Sequence, residues 1–328
     1  ETDADYYITP HENLIKPCVK RGLKEEKLIP LGIPVSRICR REISKEAAQV
    51  FATADKIRPQ TSLQCFEGSG ELLAQTENTQ PCVYCTDLAA AMALQQAGIE
   101  AQGVAGFSLG EVAALTFAQT FDQQQGMELV CHRARWMQQC AEESRAGMLA
   151  VLKLSQEQVE QLCGQFSQVY PVNYNCPGQL VVSCSEQEKQ ALCEQVKALG
   201  GKAVELAVSG GFHSPFMSRA AEQMQEHLSS VSMHAPVMPV YANSTALPYP
   251  EDTEEGKRLL SQQIDHPVLW EKTLRQMQED GFDTFSEVGP GKTLSGLVKK
   301  TLKNVTICHV QDQQSLEETL ETCGKKEN

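Results

Sequence analysis

Glu100 to Thr120 reads EAQGVAGFSLGEVAALTFAQT, with Gly106-Phe107-Ser108-Leu109-Gly110 at its centre. The half before the centre, Glu100 to Gly106, reads as a short strand. The half after it, Glu111 to Thr120, is strongly apolar and reads as a helix. A serine with glycine two residues to either side, set between two such elements, has the spacing of a sharp strand-to-helix turn. The glycines leave room where side chains would collide, and the turn lifts the serine Oγ above the sheet end. The helix that follows aims its N-terminus at the same place, so the backbone N–H of Leu109 is expected to help hold a developing oxyanion. A GxSxG pattern alone also occurs by chance in glycine-containing loops; the strand-turn-helix setting makes this one informative.

A serine nucleophile needs a base. The chain has seven histidines, and each has an ordinary structural reading. His213 stands apart because it lies in Ser209-Gly210-Gly211-Phe212-His213-Ser214-Pro215-Phe216-Met217, a glycine-rich turn after a strand, where catalytic side chains tend to be placed. His11, His132, His227, His234, His266 and His309 sit in helices or edge segments.

Working outward, Ile43 to Ile57 reads as a helix with Ser44 as N-cap and Ala47, Val50, Phe51 and Ala54 on one face. Pro81 to Ala97 reads as a helix opened by Pro81 in its first turn. Gly126 to Glu143 is a further amphipathic helix. Next come Gly147 to Leu152 (strand), Ser155 to Phe166 (helix, Ser155 as N-cap), Val169 to Asn173 and Gln179 to Ser183 (strands around Cys176-Pro177-Gly178), Gln187 to Leu199 (helix) and Lys202 to Val208 (strand). That run is βαββαβ, a small ferredoxin-like sandwich inserted in a larger α/β unit. The later strands are Val237 to Ala242 and Thr284 to Val288. The expected fold is α/β: a large α/β-hydrolase-like subdomain with a mainly parallel sheet, formed by residues 42–145 and 209–328, and a small subdomain formed by residues 146–208.

Residues 1–41 differ from the rest. Asp5 to Val35 reads DYYITPHENLIKPCVKRGLKEEKLIPLGIPV, a short strand, a helix and a second short strand ending at Gly32-Ile33-Pro34. This leader resembles a fragment of a glycosyltransferase of the kind that glycosylates diacylglycerol, over about 35 residues and without a complete catalytic site.

Composition excludes several classes. The chain of 328 residues has a formal net charge of −13, against general nucleic-acid binding, which needs a basic footprint. No apolar run reaches the ~18 residues of a membrane-spanning helix, and no signal peptide is visible. The 13 cysteines are odd in number and scattered, unlike a secreted disulfide framework. Cys82 and Cys85 form a lone CxxC without the second ligand pair of a zinc site, so buried thiols are the expected reading and no metal is expected. A reduced, cytoplasmic setting fits best. Lys292, Lys299, Lys300 and Lys303 cluster near the chain end, as a local basic docking patch or as a solvated helix face.

Six motifs then occur in one order: GFSLGE at 106–111, RARWMQ at 133–138, NYNCPGQLVVS at 173–183, SGGFHSPFM at 209–217, ANSTA at 242–246 and EVGPGKTLSGL at 287–297, with TENTQP at 76–81 upstream. The series resembles the malonyl-CoA:acyl carrier protein transacylases and the acyltransferase domains of fatty acid and polyketide synthases, over about 280 residues. The resemblance implies ping-pong transfer of a malonyl group from malonyl-CoA to an acyl carrier protein, serving fatty acid synthesis, without metal or organic cofactor. It implies Ser108 as nucleophile, His213 as base, Arg133 as holder of the malonyl carboxylate, Gln263 as the residue whose backbone carbonyl orients the histidine, Gln80 as a supporting glutamine, and Phe212 as a mark of malonyl selectivity. A guanidinium fork suits a carboxylate. Without the resemblance, Arg133 reads as a surface arginine on an amphipathic helix. Acyl carrier protein and coenzyme A are the implied partners, and a monomer is the working expectation.

The chain departs from that family at its start. A strand ending in a motif of the form FPGQGxQ, whose glutamine N–H completes the oxyanion hole, is absent from the 328 residues. Losing one oxyanion donor costs about 10²–10³ in rate, and a missing central strand leaves edges beside the nucleophile strand. Leu28 to Val35 is a candidate substitute. Phe107 stands where many relatives carry histidine. Three alternatives therefore remain: a fused or truncated homologue with impaired catalysis, a polyketide-type acyltransferase, and a serine hydrolase with Glu186, Glu188 or Glu205 as third triad member by chain order. A glycosyltransferase is suggested by the leader alone and contradicted by the remainder.

Overall fold

The computed structural model describes residues 7–9, 28–30, 45–206, 208 and 210–324. Two short strands, β1 (Tyr7–Thr9) and β2 (Leu28–Pro30), pair in parallel with each other. The helix expected between them, the cap at Ser44 and the run from Leu31 to Val35 lie outside the described residues. Leu28–Pro30 therefore has Tyr7–Thr9 as its strand partner, and the part of the candidate substitute strand that is described pairs there.

Four helices follow: α1 (Lys45–Ile57), α2 (Thr61–Glu67), α3 (Gly70–Leu73) and α4 (Thr76–Gln96). Pro81 does not open α4. It lies inside, because Thr76 to Gln80 already form the first turn. Proline in a helix interior frees the carbonyl four residues back. Here that residue is Glu77, which is exposed, so water can reach it.

The nucleophile segment contains β3 (Val104–Ala105) and α5 (Gly110–Phe117). The strand is shorter than the expected Glu100 to Gly106. Its partner, β8 (Val240–Tyr241), is equally short, since Pro239 before it has no N–H to give. α6 (Gln123–Ser144) begins at a capping box, with the Asp122 side chain accepting from Gln125 N at 2.7 Å and Gln125 Oε1 accepting from Asp122 N at 3.1 Å.

The next unit runs β4 (Ala146–Leu152), α7 (Gln156–Cys163), β5 (Val169–Cys176), β6 (Gln179–Ser185), α8 (Glu186–Ala198) and β7 (Lys202–Glu205). Its sheet has the order β5-β6-β4-β7 and is antiparallel throughout, the ferredoxin-like arrangement that βαββαβ predicts. Strand periodicity gives each face its own partner. Leu149 and Val151 of β4 and Leu180, Val182 and Cys184 of β6 share a core with Leu192 and Val196 of α8. Met148, Ala150 and Val181 face the other way, toward Val172 and Phe212.

A 3₁₀ turn (Pro215–Met217) leads into α9 (Ser218–Leu228). Beyond β8 come α10 (Thr253–Gln262), α11 (Trp270–Glu279), β9 (Thr284–Val288), α12 (Thr293–Thr301), β10 (Thr306–Val310) and α13 (Gln313–Gly324). The large unit is parallel in each of its ladders, β3 with β8 and β9 with β10. Its main core joins α1, α4, α5, α6 and α9 through residues such as Phe51, Leu88, Leu115, Met137 and Met224. A second cluster, with Val268, Trp270 and Leu297 at its centre, takes in Ala105 and Phe107 from the nucleophile strand and Phe285 from β9, so apolar packing ties the two parallel ladders together. The small sheet is sewn to the large unit at Val268, whose N–H donates to Val172 O at 2.8 Å and whose carbonyl accepts from Tyr174 N at 2.9 Å.

Because Leu192 is fully buried in a core confined to the small unit, Leu192→Ala is expected to cost about 3 kcal/mol of stability, read as a lower midpoint in urea unfolding.

Candidate active site

Ser108 has a positive φ of 51°, the left-handed region that a residue with a side chain rarely adopts. The turn can close only because Gly106 has no side chain: an ideal β-carbon there would lie 1.9 Å from the Gly110 carbonyl group. The peptide groups on either side of Ser108 are held by two buried amides. Asn243 Oδ1 accepts from Ser108 N at 2.7 Å, while Asn243 Nδ2 donates to Gly106 O at 2.7 Å. Gln263 Nε2 donates to Ser108 O. Leu109 follows at the head of α5, its side chain in the main core.

His213 also has a positive φ, 59°, and is 3 % exposed. Its loop leaves no space for side chains at the glycines; an ideal β-carbon on Gly211 would come within 2.4 Å of the Phe216 ring and 2.6 Å of Ser183 Oγ. The loop therefore lies against the inner face of the small sheet, and Phe212 packs into that face and into the main core together. The imidazole is fixed at both ends. Nδ1 is 2.8 Å from the Gln263 carbonyl, which can only accept, so the proton sits on Nδ1 and Nε2 is the free base. Ser108 Oγ lies 2.7 Å from Nε2 and donates to it.

Arg133, on α6, is 1 % exposed, so the surface reading does not hold. Its Nη1 donates to Gln80 Oε1 at 2.6 Å; its Nη2 donates to Gln263 Oε1 at 2.8 Å and to Ser108 Oγ at 3.1 Å. Ser108, His213, Arg133, Gln80 and Gln263, drawn from five separate stretches of chain, are thus joined in one hydrogen-bond network. Phe107 lies to the side, edge-on to Trp270 with ring centroids 5.4 Å apart.

Electrostatics follow from burial. Desolvation pushes the His213 imidazole down to about 4, and the neighbouring Arg133 charge adds to the effect, so the ring is neutral at ordinary pH. Burial likewise lowers Arg133 to about 10, opposed by the Glu111 carboxylate.

Residues that sequence reasoning left without a role complete the site. Asn243 lies within ANSTA and Glu111 within GFSLGE, so the motifs contained them, but nothing in the pattern showed that both would be buried behind the nucleophile. The glutamates of a hydrolase triad are not there. Glu186 and Glu205 pair with Lys189 at 2.8 Å, and Glu188 accepts from Ser167 and Gln168, all within the small unit. The third partner of the serine-histidine pair is a carbonyl. Among the described residues no group of three or more His, Cys, Asp or Glu is placed to hold a metal ion, and no helix is long and apolar enough to cross a membrane. Lys292, Lys299, Lys300 and Lys303 are all exposed around α12.

Known proteins resemble this chain over most of its length. Residues 29–321 match the family described as acyl transferase domain. The malonyl CoA-acyl carrier protein transacylase of Bacillus subtilis is 33 % identical over 288 residues, covering 86 % of this chain and 90 % of that protein. The protein of the same name from Escherichia coli K12 is 31 % identical over 260 residues, 78 % of this chain and 84 % of its own. Among solved structures, the malonyl CoA-acyl carrier protein transacylase of Clostridium perfringens superposes with a TM-score of 0.83 at 36 % identity, covering 86 % of this chain and 90 % of that one. A malonyl-transacylase solved in complex with a type II polyketide synthase acyl-carrier protein superposes at 0.81 with 30 % identity, covering 84 % and 91 %. With its serine, histidine and arginine assembled on the fold these proteins share, the chain belongs to the acyl transferase domain family, in the group of the malonyl CoA-acyl carrier protein transacylases.

Proposed function

We propose that the protein transfers a malonyl group from malonyl-CoA to the phosphopantetheine thiol of an acyl carrier protein, for fatty acid synthesis, through an acyl-enzyme on Ser108. The observation that carries this reading is the single point at which Ser108 Oγ meets both His213 Nε2 (2.7 Å) and Arg133 Nη2 (3.1 Å). A base alone suits any acyl transfer; a buried guanidinium beside the nucleophile suits an acyl group that ends in a carboxylate.

Nε2 takes the Ser108 proton as Oγ attacks the thioester carbonyl. The carbonyl π electrons move onto oxygen, and the Leu109 N–H at the head of α5 stabilises that charge. The intermediate collapses, the C–S bond breaks, and coenzyme A leaves as thiol with the proton from Nε2. The carrier-protein thiol then repeats the sequence in reverse: Nε2 removes its proton, sulfur attacks the serine ester, and Ser108 recovers the proton on departure. Arg133 holds the malonyl carboxylate throughout, Gln263 keeps the ring in its reactive tautomer, Gln80 steadies Arg133, and Phe212 narrows the choice of acyl group. The thioester is already activated, so this sequence calls on no metal or organic cofactor. The exposed lysines around α12 suit an acidic carrier protein. The same reading takes 146–208 as the small subdomain and 42–145 with 209–328 as the large one, in a cytoplasmic, monomeric protein.

One observation favours a second reading, a homologue with impaired catalysis. Among the described residues β3 has β8 as its one strand partner.

Intact-protein mass spectrometry after brief exposure to malonyl-CoA separates the two. A malonyl adduct on the native chain and none on Ser108→Ala is the expected result; a folded native chain without adduct makes the second reading the correct one. Arg133→Ala should move donor preference from malonyl-CoA toward acetyl-CoA in the same assay, and an unchanged preference removes the assigned role. The pH profile is a third check. The base must be neutral to act, so acylation from the free enzyme should decline only as pH falls through about 4. Removing the Arg133 charge relieves part of the depression, so in Arg133→Ala the acid limb measured with acetyl-CoA should move to higher pH.

A further inference from the structure

Glu111 follows the nucleophile by three residues and enters α5 at its second position. An acidic side chain in a first turn is ordinarily solvated and interacts with the helix dipole from outside. This one is 0 % exposed. Oε1 accepts from the Tyr249 hydroxyl. Oε2 accepts from the Asn243 backbone N–H at 2.9 Å and from Gln263 Nε2 at 3.5 Å. Asn243 and Gln263 are the two residues that hold the peptide groups around Ser108, and Gln263 in addition touches Arg133 through Oε1 and His213 through its carbonyl. One carboxylate thus stands behind both residues that hold the turn of Ser108.

A buried anion is costly unless a charge and hydrogen bonds compensate it. The ionisable groups facing Glu111 are Tyr249 from the segment after β8 and Arg133 from α6, with His213 on the far side of Gln263. Arg133 is the one cation among them. Before substrate binds, the ionised form of Glu111 balances the Arg133 charge. A substrate carboxylate brings a second anion to a single guanidinium.

We propose that Glu111 is a positioning residue: through Asn243 and Gln263 its carboxylate fixes the turn that carries Ser108, and it serves as the countercharge of Arg133 with which the substrate carboxylate competes. The second half rests on the proposed role of Arg133. Burial raises the Glu111 carboxyl, its three donors and Arg133 oppose the rise, and the balance stands at about 7.

Glu111→Gln keeps the shape and removes the charge. Single-turnover acylation by malonyl-CoA and by acetyl-CoA, on protein with a cooperative melting curve, reads both halves. The saturating rate should fall for both donors, by about 10²-fold for a small displacement of the serine. The half-saturating concentration of malonyl-CoA should fall relative to that of acetyl-CoA, because the competing anion is gone. A purely structural role would move both donors alike. Tyr249→Phe keeps the carboxylate but removes one donor, so it should shift the donor ratio in the same direction by less, and it carries the test should Glu111→Gln not fold. An unchanged saturating rate overturns the positioning half. An unchanged donor ratio in these variants, with Arg133→Ala still shifting preference, overturns the countercharge half alone. A preference unmoved by Arg133→Ala brings down the countercharge half together with the reading of Arg133.

Discussion

A backbone that cannot satisfy itself is the constraint from which the site follows. At Ser108 the chain passes through the left-handed region to join a strand to a helix across four residues, at a cost of about 1–3 kcal/mol. Gly106 lies so close to Gly110 that no side chain fits between them. In so tight a turn Ser108 N and Gly106 O are met by a side chain in place of a strand or helix partner, and buried amides without partners are more costly still. Side chains must supply the bonds. Asn243 and Gln263 do so, arriving from distant parts of the chain. Their own burial then has to be compensated, and Glu111 is the group that does it. The polar network is thus a consequence of the turn, and the turn is a consequence of raising one hydroxyl above a sheet end.

The fold delivers the second reacting group from a different direction. The small sheet uses one face for its own core with α7 and α8 and offers the other to the loop that carries His213. Gly211 lets that loop approach to van der Waals distance, and Phe212 wedges it between the two units. The backbone bond from His213 N to Ile264 O, at 3.2 Å, and the ring bond to Gln263 O place the imidazole against the segment after α10. Serine and histidine therefore sit on separate turns, each in a left-handed conformation, and the same residue, Gln263, bonds to both.

Much of this was legible in the sequence, and what was not has physical causes. The strand-turn-helix at Ser108, the glycine-rich loop at His213 and the βαββαβ run carry local signals: glycine where a β-carbon would collide, periodicity two where a sheet has two different faces. Capping residues marked Ser155 correctly because the Ser-x-x-Gln box is local as well. Pro81 misled, since a proline at a helix start and one inside a helix with an exposed carbonyl four residues back differ only in surroundings. The buried state of Arg133, the pairing of Glu111 with Tyr249, and the absence of a carboxylate behind His213 are long-range facts. An amphipathic helix pattern shows an arginine off the apolar stripe and has no means of showing that distant stretches of the chain, at Gln80 and Gln263, meet it.

The carbonyl behind His213 has a consequence for which acceptor takes the acyl group. A carboxylate there would steady the protonated ring; a carbonyl offers less, and Arg133 opposes the charge, so the imidazole is a feeble base. Feeble bases are selective ones. A thiol with a pKa of about 8.5 surrenders its proton far more readily than water at about 15.7. On the proposed mechanism, the ring takes a proton from the carrier-protein thiol more readily than from water, which favours the thiol as the acceptor of the serine ester. Part of the fidelity to the acceptor is then built into proton affinity.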